Sequence, residues 1–182
     1  GKTLAEQPLM KNVLADLALE SEAATRLALR LARAFDGRHQ RNEHEALIAR
    51  VLTPAAKYWI CKRLPAAAAE TMEIMGGNGY VEEGPFARFY REAPLNSIWE
   101  GSGNVMCLDV LRALGRVPAV REALIEELRA VRGTSRLYDA YTATLAEDLA
   151  RPDLAEAQAR ELTERIALAL QAALLLSGSR SD

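Results

Sequence analysis

Met75-Gly76-Gly77-Asn78-Gly79-Tyr80-Val81-Glu82-Glu83 leads, after Gly84-Pro85-Phe86-Ala87-Arg88, into Phe89-Tyr90-Arg91-Glu92-Ala93-Pro94-Leu95-Asn96-Ser97-Ile98-Trp99-Glu100-Gly101-Ser102-Gly103-Asn104. Gly76, Gly77 and Gly79 stop the helical run before them. Residues 80 to 99 read as irregular, with one short helix around Pro85 to Tyr90, because proline suits a first helical turn. Ser102 is an N-cap candidate for a helix reaching Leu114, which Gly115 and Pro118 close. One carboxylate, Glu100, therefore sits on a glycine-flanked turn just ahead of a helix. A carboxylate on a turn is a candidate base. The helix N-terminus beside it is a candidate phosphate site.

Upstream, Leu14, Leu17, Ser21, Ala24, Ala28, Leu31 and Phe35 step by four and three, the spacing of one stripe on a long amphipathic helix. Asp36-Gly37 is the expected stop, with glycine in the left-handed conformation. A second long helix is expected from about Asn42 to Met75. Pro54 and Pro65 interrupt it and predict kinks or a break.

Downstream of Gly115, residues 118 to 132, 136 to 150 and 153 to 176 read as three more helices. Gly133-Thr134-Ser135 and Arg151-Pro152-Asp153 are short connections of the kind that join neighbouring helices. Leu162, Ile166, Ala169 and Ala173 form the stripe of the last helix. The tail from Ser177 to Asp182 is expected to fray. No segment shows the sustained alternation of a strand. The fold class is all-α: an up-and-down four-helix bundle over residues 1–114, with a helical extension over 115–182.

Composition agrees. The chain has 182 residues, 49% of them hydrophobic and only 5% aromatic. That is enough to bury one core. A formal net charge of −2 supplies no general attraction for nucleic acid or an anionic membrane. Cys61 and Cys107 are isolated, match no metal-ligand spacing and read as small buried hydrophobes. They suit a reducing cytosol, so a cytoplasmic location is expected. No apolar run reaches the roughly 18 residues a membrane span needs; Leu168 to Leu176 is short and holds Gln171. His39 and His44 read as solvated, and Trp59 as packing. Trp99, beside Glu100, is a candidate for the wall of a site.

Residues 1 to about 114 resemble the C-terminal helical domain of acyl-CoA dehydrogenases. The resemblance is carried by Gly1-Lys2-Thr3-Leu4-Ala5-Glu6-Gln7, by Glu73-Ile74-Met75-Gly76-Gly77-Asn78-Gly79-Tyr80, and by Tyr90-Arg91-Glu92-Ala93 leading into Ile98-Trp99-Glu100-Gly101-Ser102-Gly103-Asn104. Asn96-Ser97 and the run Cys107-Leu108-Asp109-Val110-Leu111-Arg112 resemble the AidB-like branch, linked to the bacterial adaptive response to DNA alkylation. That branch carries a C-terminal extension, which residues 115–182 fit.

The resemblance implies a flavoenzyme chemistry. A glutamate takes the α-proton of an acyl-CoA thioester while the β-hydride passes to FAD. Glu100 stands at the position of the base, and desolvation makes a carboxylate a stronger one. Gly101 gives the backbone close approach to substrate. Ser102, Gly103 and Asn104 stand where relatives contact FAD. Glu73, Gly76 and Gly77 stand where relatives meet the FAD adenosine end of a neighbouring subunit. The resemblance further implies a homo-oligomer, dimer or tetramer. It also implies that the chain is one domain of a longer enzyme, inactive and weak in FAD binding by itself.

Two other readings stay open beside it. A lone glutamate at a helix start is ordinarily a solvated surface acid, and only the flanking motif changes that for Glu100. DNA binding would need clustered cations. Residues 115–182 hold nine arginines against eleven acids, without a cationic run. An assembly module is the third possibility, compatible with the first, because Ala- and Leu-rich helix faces need covering.

Overall fold

A computed structural model describes residues 1, 3–151 and 155–178. Among them there are eight α-helices and no strand. The helices are α1 (Pro8–His39), α2 (Glu43–Ile74), α3 (Gly77–Tyr80), α4 (Phe86–Glu92), α5 (Gly103–Arg116), α6 (Pro118–Arg129), α7 (Arg136–Ala150) and α8 (Ala159–Gly178). Single 3-10 turns occupy Leu4–Glu6, Ala93–Ser97 and Glu156–Gln158. The all-α expectation holds. Pro152 and Asp153 of the second connection and the end of the tail lie outside the described residues, as does Lys2 of the first motif.

α1 and α2 form an antiparallel pair, seen in Glu20 facing Arg63 and Arg30 facing Glu45. α5 returns antiparallel along α2, with Arg50 bonded to Asp109 near one end and the Tyr58 ring against Gly103 near the other. The fourth long member of the bundle is α8, packed on α1, α2 and α5. One buried cluster joins Leu27 of α1, Leu52 of α2, Val110 of α5, Leu124 of α6, Leu145 of α7 and Ile166 of α8. Residues before and after 115 thus share a core. The expected stripe of α8 is buried as read: Leu162, Ile166, Ala169 and Ala173.

The stripe of α1 is not the one the spacing predicts. Its buried residues are Ala23, Leu27, Arg30 and Ala34, while Ala28 and Phe35 are exposed. An Ala/Leu helix offers more than one apolar face, and here a charge selects among them. The Arg30 guanidinium, 6% exposed, must turn inward. It donates to Glu45 at 2.7 Å and to Glu127 at 2.6 and 3.0 Å. Nor does α1 stop at Asp36-Gly37. It continues to His39, and Arg41 takes the left-handed conformation (φ 63°). Gly37 serves packing instead: a Cβ there would lie 2.5 Å from Cγ of Glu45.

α2 passes through Pro54 and Pro65 without a break. Pro65 lacks an N–H, so the Cys61 carbonyl loses its helical donor. The Ser97 hydroxyl replaces it at 2.8 Å. Thus the proline that was expected to interrupt the helix docks a loop instead. Asn42 caps α2, accepting from the Glu45 N–H at 3.1 Å. α5 also runs past Gly115 to Arg116. Arg121 closes this corner by donating to the Leu114 carbonyl at 2.7 Å and to the Leu149 carbonyl at 2.9 Å. These are orphan acceptors at the ends of α5 and α7. Cys107 is buried as expected, whereas Cys61 is only half-buried. Gln171, the polar residue in an apolar stretch, accepts from the Trp59 indole at 2.9 Å. Burial pushes the Tyr138 hydroxyl up to about 12, and it donates to the Leu128 carbonyl at 2.7 Å.

The buried ion network yields a prediction. Burial alone would raise the Glu127 carboxyl, but the Arg30 hydrogen bonds and charge, with His44 beside them, hold it below the usual 4.5. A depressed folded-state value contributes stability above the unfolded value, and that stability is lost as pH falls through the folded one. Urea midpoints are expected to fall on acidification from about pH 6 to pH 3, and Glu127→Gln removes part of that slope. Arg30→Met leaves two buried carboxylates facing each other and is expected to cost about 3 kcal/mol at neutral pH.

Candidate functional site

The turn between the Ala93–Ser97 helical turn and α5 carries the candidate base. Glu100 has φ 53° and Gly101 has φ 105°. A left-handed residue other than glycine costs roughly 1–2 kcal/mol. Such strain persists only where the surroundings hold it. Here the holder is Lys57 on α2. Its ammonium donates to the carbonyls of Asn96 (2.6 Å), Trp99 (2.9 Å) and Gly101 (3.0 Å). All three ammonium protons are thereby used. Two of the acceptors flank Glu100, so the turn is gripped on both sides of the carboxylate. The Ser97 bond to Cys61 adds a second anchor on the same helix. The Glu100 side chain itself is exposed rather than partly desolvated: among the described residues no element covers the outer side of the turn. Trp99 is 55% exposed beside it.

Next come the residues at the start of α5. Ser102 is the N-cap as expected, but its hydroxyl makes no capping hydrogen bond. The first-turn N–H groups of α5 are left without a donor's partner from that side chain. Gly103 sits over Tyr58, where a Cβ would meet the ring at 3.4 Å. The Asn104 side chain accepts from Arg160 of α8 at 2.7 Å. Burial pushes the Tyr58 hydroxyl and the Cys107 and Cys61 thiols upward. The thiols are therefore protonated at neutral pH and make poor nucleophiles.

Glu73, Gly76 and Gly77 are exposed at the other end of α2. Gly76 has φ 59°, the turn that ends the helix. At 1.5 Å per residue, Glu73 lies about 24 Å along the axis from Lys57. The chain thus brings Glu100, Gly101, Ser102, Gly103 and Asn104 together and holds Glu73, Gly76 and Gly77 apart from them. Close to that second group, Arg91 of the Tyr-Arg-Glu-Ala motif donates to Glu82 at 2.5 and 3.0 Å.

Lys57 and Arg160 were not legible as site residues. Each is one cation on a mixed helix face, and its acceptors lie 39 to 44 residues away for Lys57 and 56 for Arg160.

The outer halves of α1 and α2 carry no buried residue before Ala23 or after Trp59. Between them and α4 lies an open groove of about 740 Å³, lined by Leu14, Leu17, Ala24, Leu64, Phe86 and Phe89 among others. Part of the stripe expected to be core on α1 lines this groove instead.

The molecule is an all-α bundle with a left-handed carboxylate residue ahead of a helix whose N-cap hydroxyl makes no capping bond. The chain belongs to the acyl-CoA dehydrogenase family: residues 1–115 match its C-terminal domain. It is 49% identical over 168 residues to AidB of Escherichia coli (strain K12), covering 92% of this chain and 30% of that protein. It is 32% identical over 110 residues to the mitochondrial short-chain specific acyl-CoA dehydrogenase of Bos taurus, covering 60% of this chain and 25% of the relative. The solved structure of Caenorhabditis elegans ACDH-11 in complex with C11-CoA shares the fold, with TM-score 0.87 at 24% identity over 98% of this chain and 34% of that one. A structure titled Bd2924 apo-form gives TM-score 0.84 at 29% identity, over 98% of this chain and 35% of that one. The chain therefore spans about a third of the length of these relatives. Among the described residues no helix is long and apolar enough to cross a membrane.

Lys57→Met is expected to release the turn. Three charge-assisted bonds would be lost, and the strain at Glu100 would relax. Amide hydrogen exchange is expected to speed up from Asn96 to Ser102 while α1 and α2 stay protected. Unchanged protection of the turn would show that Lys57 is not its holder.

Proposed function

We propose that the chain is the C-terminal domain of an FAD-dependent acyl-CoA dehydrogenase, with Glu100 as the base that removes the α-proton of an acyl-CoA thioester. The observation that carries this is the positive φ of Glu100, gripped on both sides through Lys57. Ordinary surface acids do not need such strain, and functional residues collect it. The residues fit a flavin nucleotide. Ser102 keeps its hydroxyl free, the α5 N-terminus offers backbone donors to a diphosphate, and Asn104 adds an amide. Gly101 is the proposed substrate contact; its φ of 105° is a conformation that favours glycine, and the end of the Met106 side chain lies where a Cβ would point. Bound FAD supplies the hydride acceptor. This chain's part is to hold the carboxylate, receive the α-proton on it and orient the cofactor.

In this reading Glu73, Gly76 and Gly77 meet the adenosine end of FAD on a neighbouring copy, which accords with their distance from Glu100. Residues 1–114 form the family domain, and residues 115–182 an extension grown onto its core. The apolar groove and the exposed outer halves of α1 and α2 support assembly as a dimer or tetramer through this domain. A cytoplasmic location belongs to the same proposal. Nucleic-acid binding does not: Arg121, Arg160 and Arg165 of the extension are spent on internal partners.

The test uses the full-length gene product and stopped-flow bleaching of its flavin by a short or branched acyl-CoA. Glu100→Gln keeps the shape and removes the base, and is expected to slow flavin reduction by on the order of 10²–10⁴ with FAD content unchanged. Ser102→Ala is expected to weaken FAD retention by about 1–2 kcal/mol with little effect on the reduction rate of the loaded protein. Reduction of the Glu100→Gln protein at the wild-type rate would place the base elsewhere. Light scattering of the chain at tens of micromolar is expected to give a dimer or tetramer, and a monomer alone would remove the assembly role.

A further inference from the structure

We infer that Arg160, in the extension beyond the family-matched residues, is a positioning residue that sets the Asn104 carboxamide with its NH₂ toward an anionic cofactor. The inference rests on the proposed reading of Asn104 as a flavin contact. Arg160 is the second residue of α8; its side chain is exposed, and its backbone is placed by the buried residues on either side of it. The preceding Ala159 is 4% exposed and packs in one cluster with Tyr58, Trp59 and Cys107. Thr163, one turn on, is fully buried and bonds back to the Ala159 carbonyl at 2.7 Å. The start of α8 is therefore seated on α2 and α5 at the level where α5 begins.

From that seat Nε of Arg160 donates to Oδ1 of Asn104 at 2.7 Å. A carboxamide has an acceptor end and a donor end, and its partners decide which way it faces. Guanidinium has donors only, so it can engage only the oxygen. The NH₂ is left as the free end of Asn104. Around it the first turn of α5 offers further donors, because N–H groups there lack intrahelical partners and the Ser102 hydroxyl does not cap them. The result is a surface of donors suited to phosphate oxygens. Without Arg160 the carboxamide is free to turn over and set its oxygen against the anion.

The experiment measures FAD affinity of the stripped full-length protein by flavin fluorescence, alongside the melting temperature of the apoprotein. Arg160→Ala is expected to raise the FAD dissociation constant about tenfold, the scale of one charge-assisted hydrogen bond, without shifting the apoprotein melt. Arg160→Lys keeps a donor of sufficient reach and is expected to recover most of that affinity. In an Asn104→Ala background, Arg160→Ala should add no further loss. An additive loss would show Arg160 acting without Asn104 and overturn the inference. So would a melting temperature that falls in step with affinity, or wild-type affinity in Arg160→Ala where Asn104→Ala does weaken binding. If Ser102→Ala and Asn104→Ala both leave FAD binding intact, the proposed flavin site falls and this inference with it.

Discussion

The Arg30 guanidinium decides how this molecule is assembled. A buried cation must find carboxylates, and it finds one on α2 and one on α6. That single requirement rotates α1 so that Ala23, Leu27 and Ala34 face inward beside it. It also pins the first turn of α2, where Glu45 packs against Gly37, and brings the end of α6 under the α1–α2 corner. The halves of the two long helices nearest this corner are thus the ones that receive α6 and α8, while α3 and α4 pack at the far end of α2. The opposite ends extend beyond the core and leave the apolar groove between them. Buried ion pairs are seldom a large net source of stability, and their better-attested use is to select one arrangement among several. An Ala- and Leu-rich bundle, with several near-equivalent faces, needs such a selector.

From that corner α2 acts as the spine of the candidate site. Its buried residues end at Trp59, and the polar groups that hold the Glu100 turn sit on the same stretch: Lys57 donates three bonds to the loop, and Cys61 accepts one from it. The arrangement puts a strained backbone on a rigid element, which is how a side chain on a loop is kept in one place. Polar bonds hold the turn where apolar packing could not. Its carboxylate and the neighbouring indole both stand toward solvent, so no core is available there.

The extension is joined to the family domain in two ways. Its residues complete the principal core, through Leu124, Leu145, Leu149 and Ile166. Its last helix also reaches the start of α5 through Arg160, while Arg26 of α1 donates to the Leu174 carbonyl near its other end. A segment so integrated cannot be removed without exposing the apolar faces of α2 and α5. Three of its arginines, Arg121, Arg160 and Arg165, tie helix ends and neighbouring helices together.

Sequence by itself determined the helical class, the limits of α7, the stripe of α8 and the position of Ser102 at the head of α5, because these follow from local spacing and from backbone chemistry that acts over a few residues. It determined the family as well, since the glycine turn and the Trp-Glu-Gly-Ser-Gly-Asn run are contiguous. Tertiary structure alone decided which face of α1 is buried, that Gly37 is a packing residue and Arg41 the left-handed one, and that Pro65 leaves a carbonyl for Ser97. It alone brought Lys57 to the Glu100 turn and Arg160 to Asn104. Apart from the turn at Gly37 and Arg41, which is local, the physical reason is common: each is settled by a partner that lies distant in sequence, and a hydrogen bond or a buried charge leaves no periodic trace in the chain that carries only one half of it.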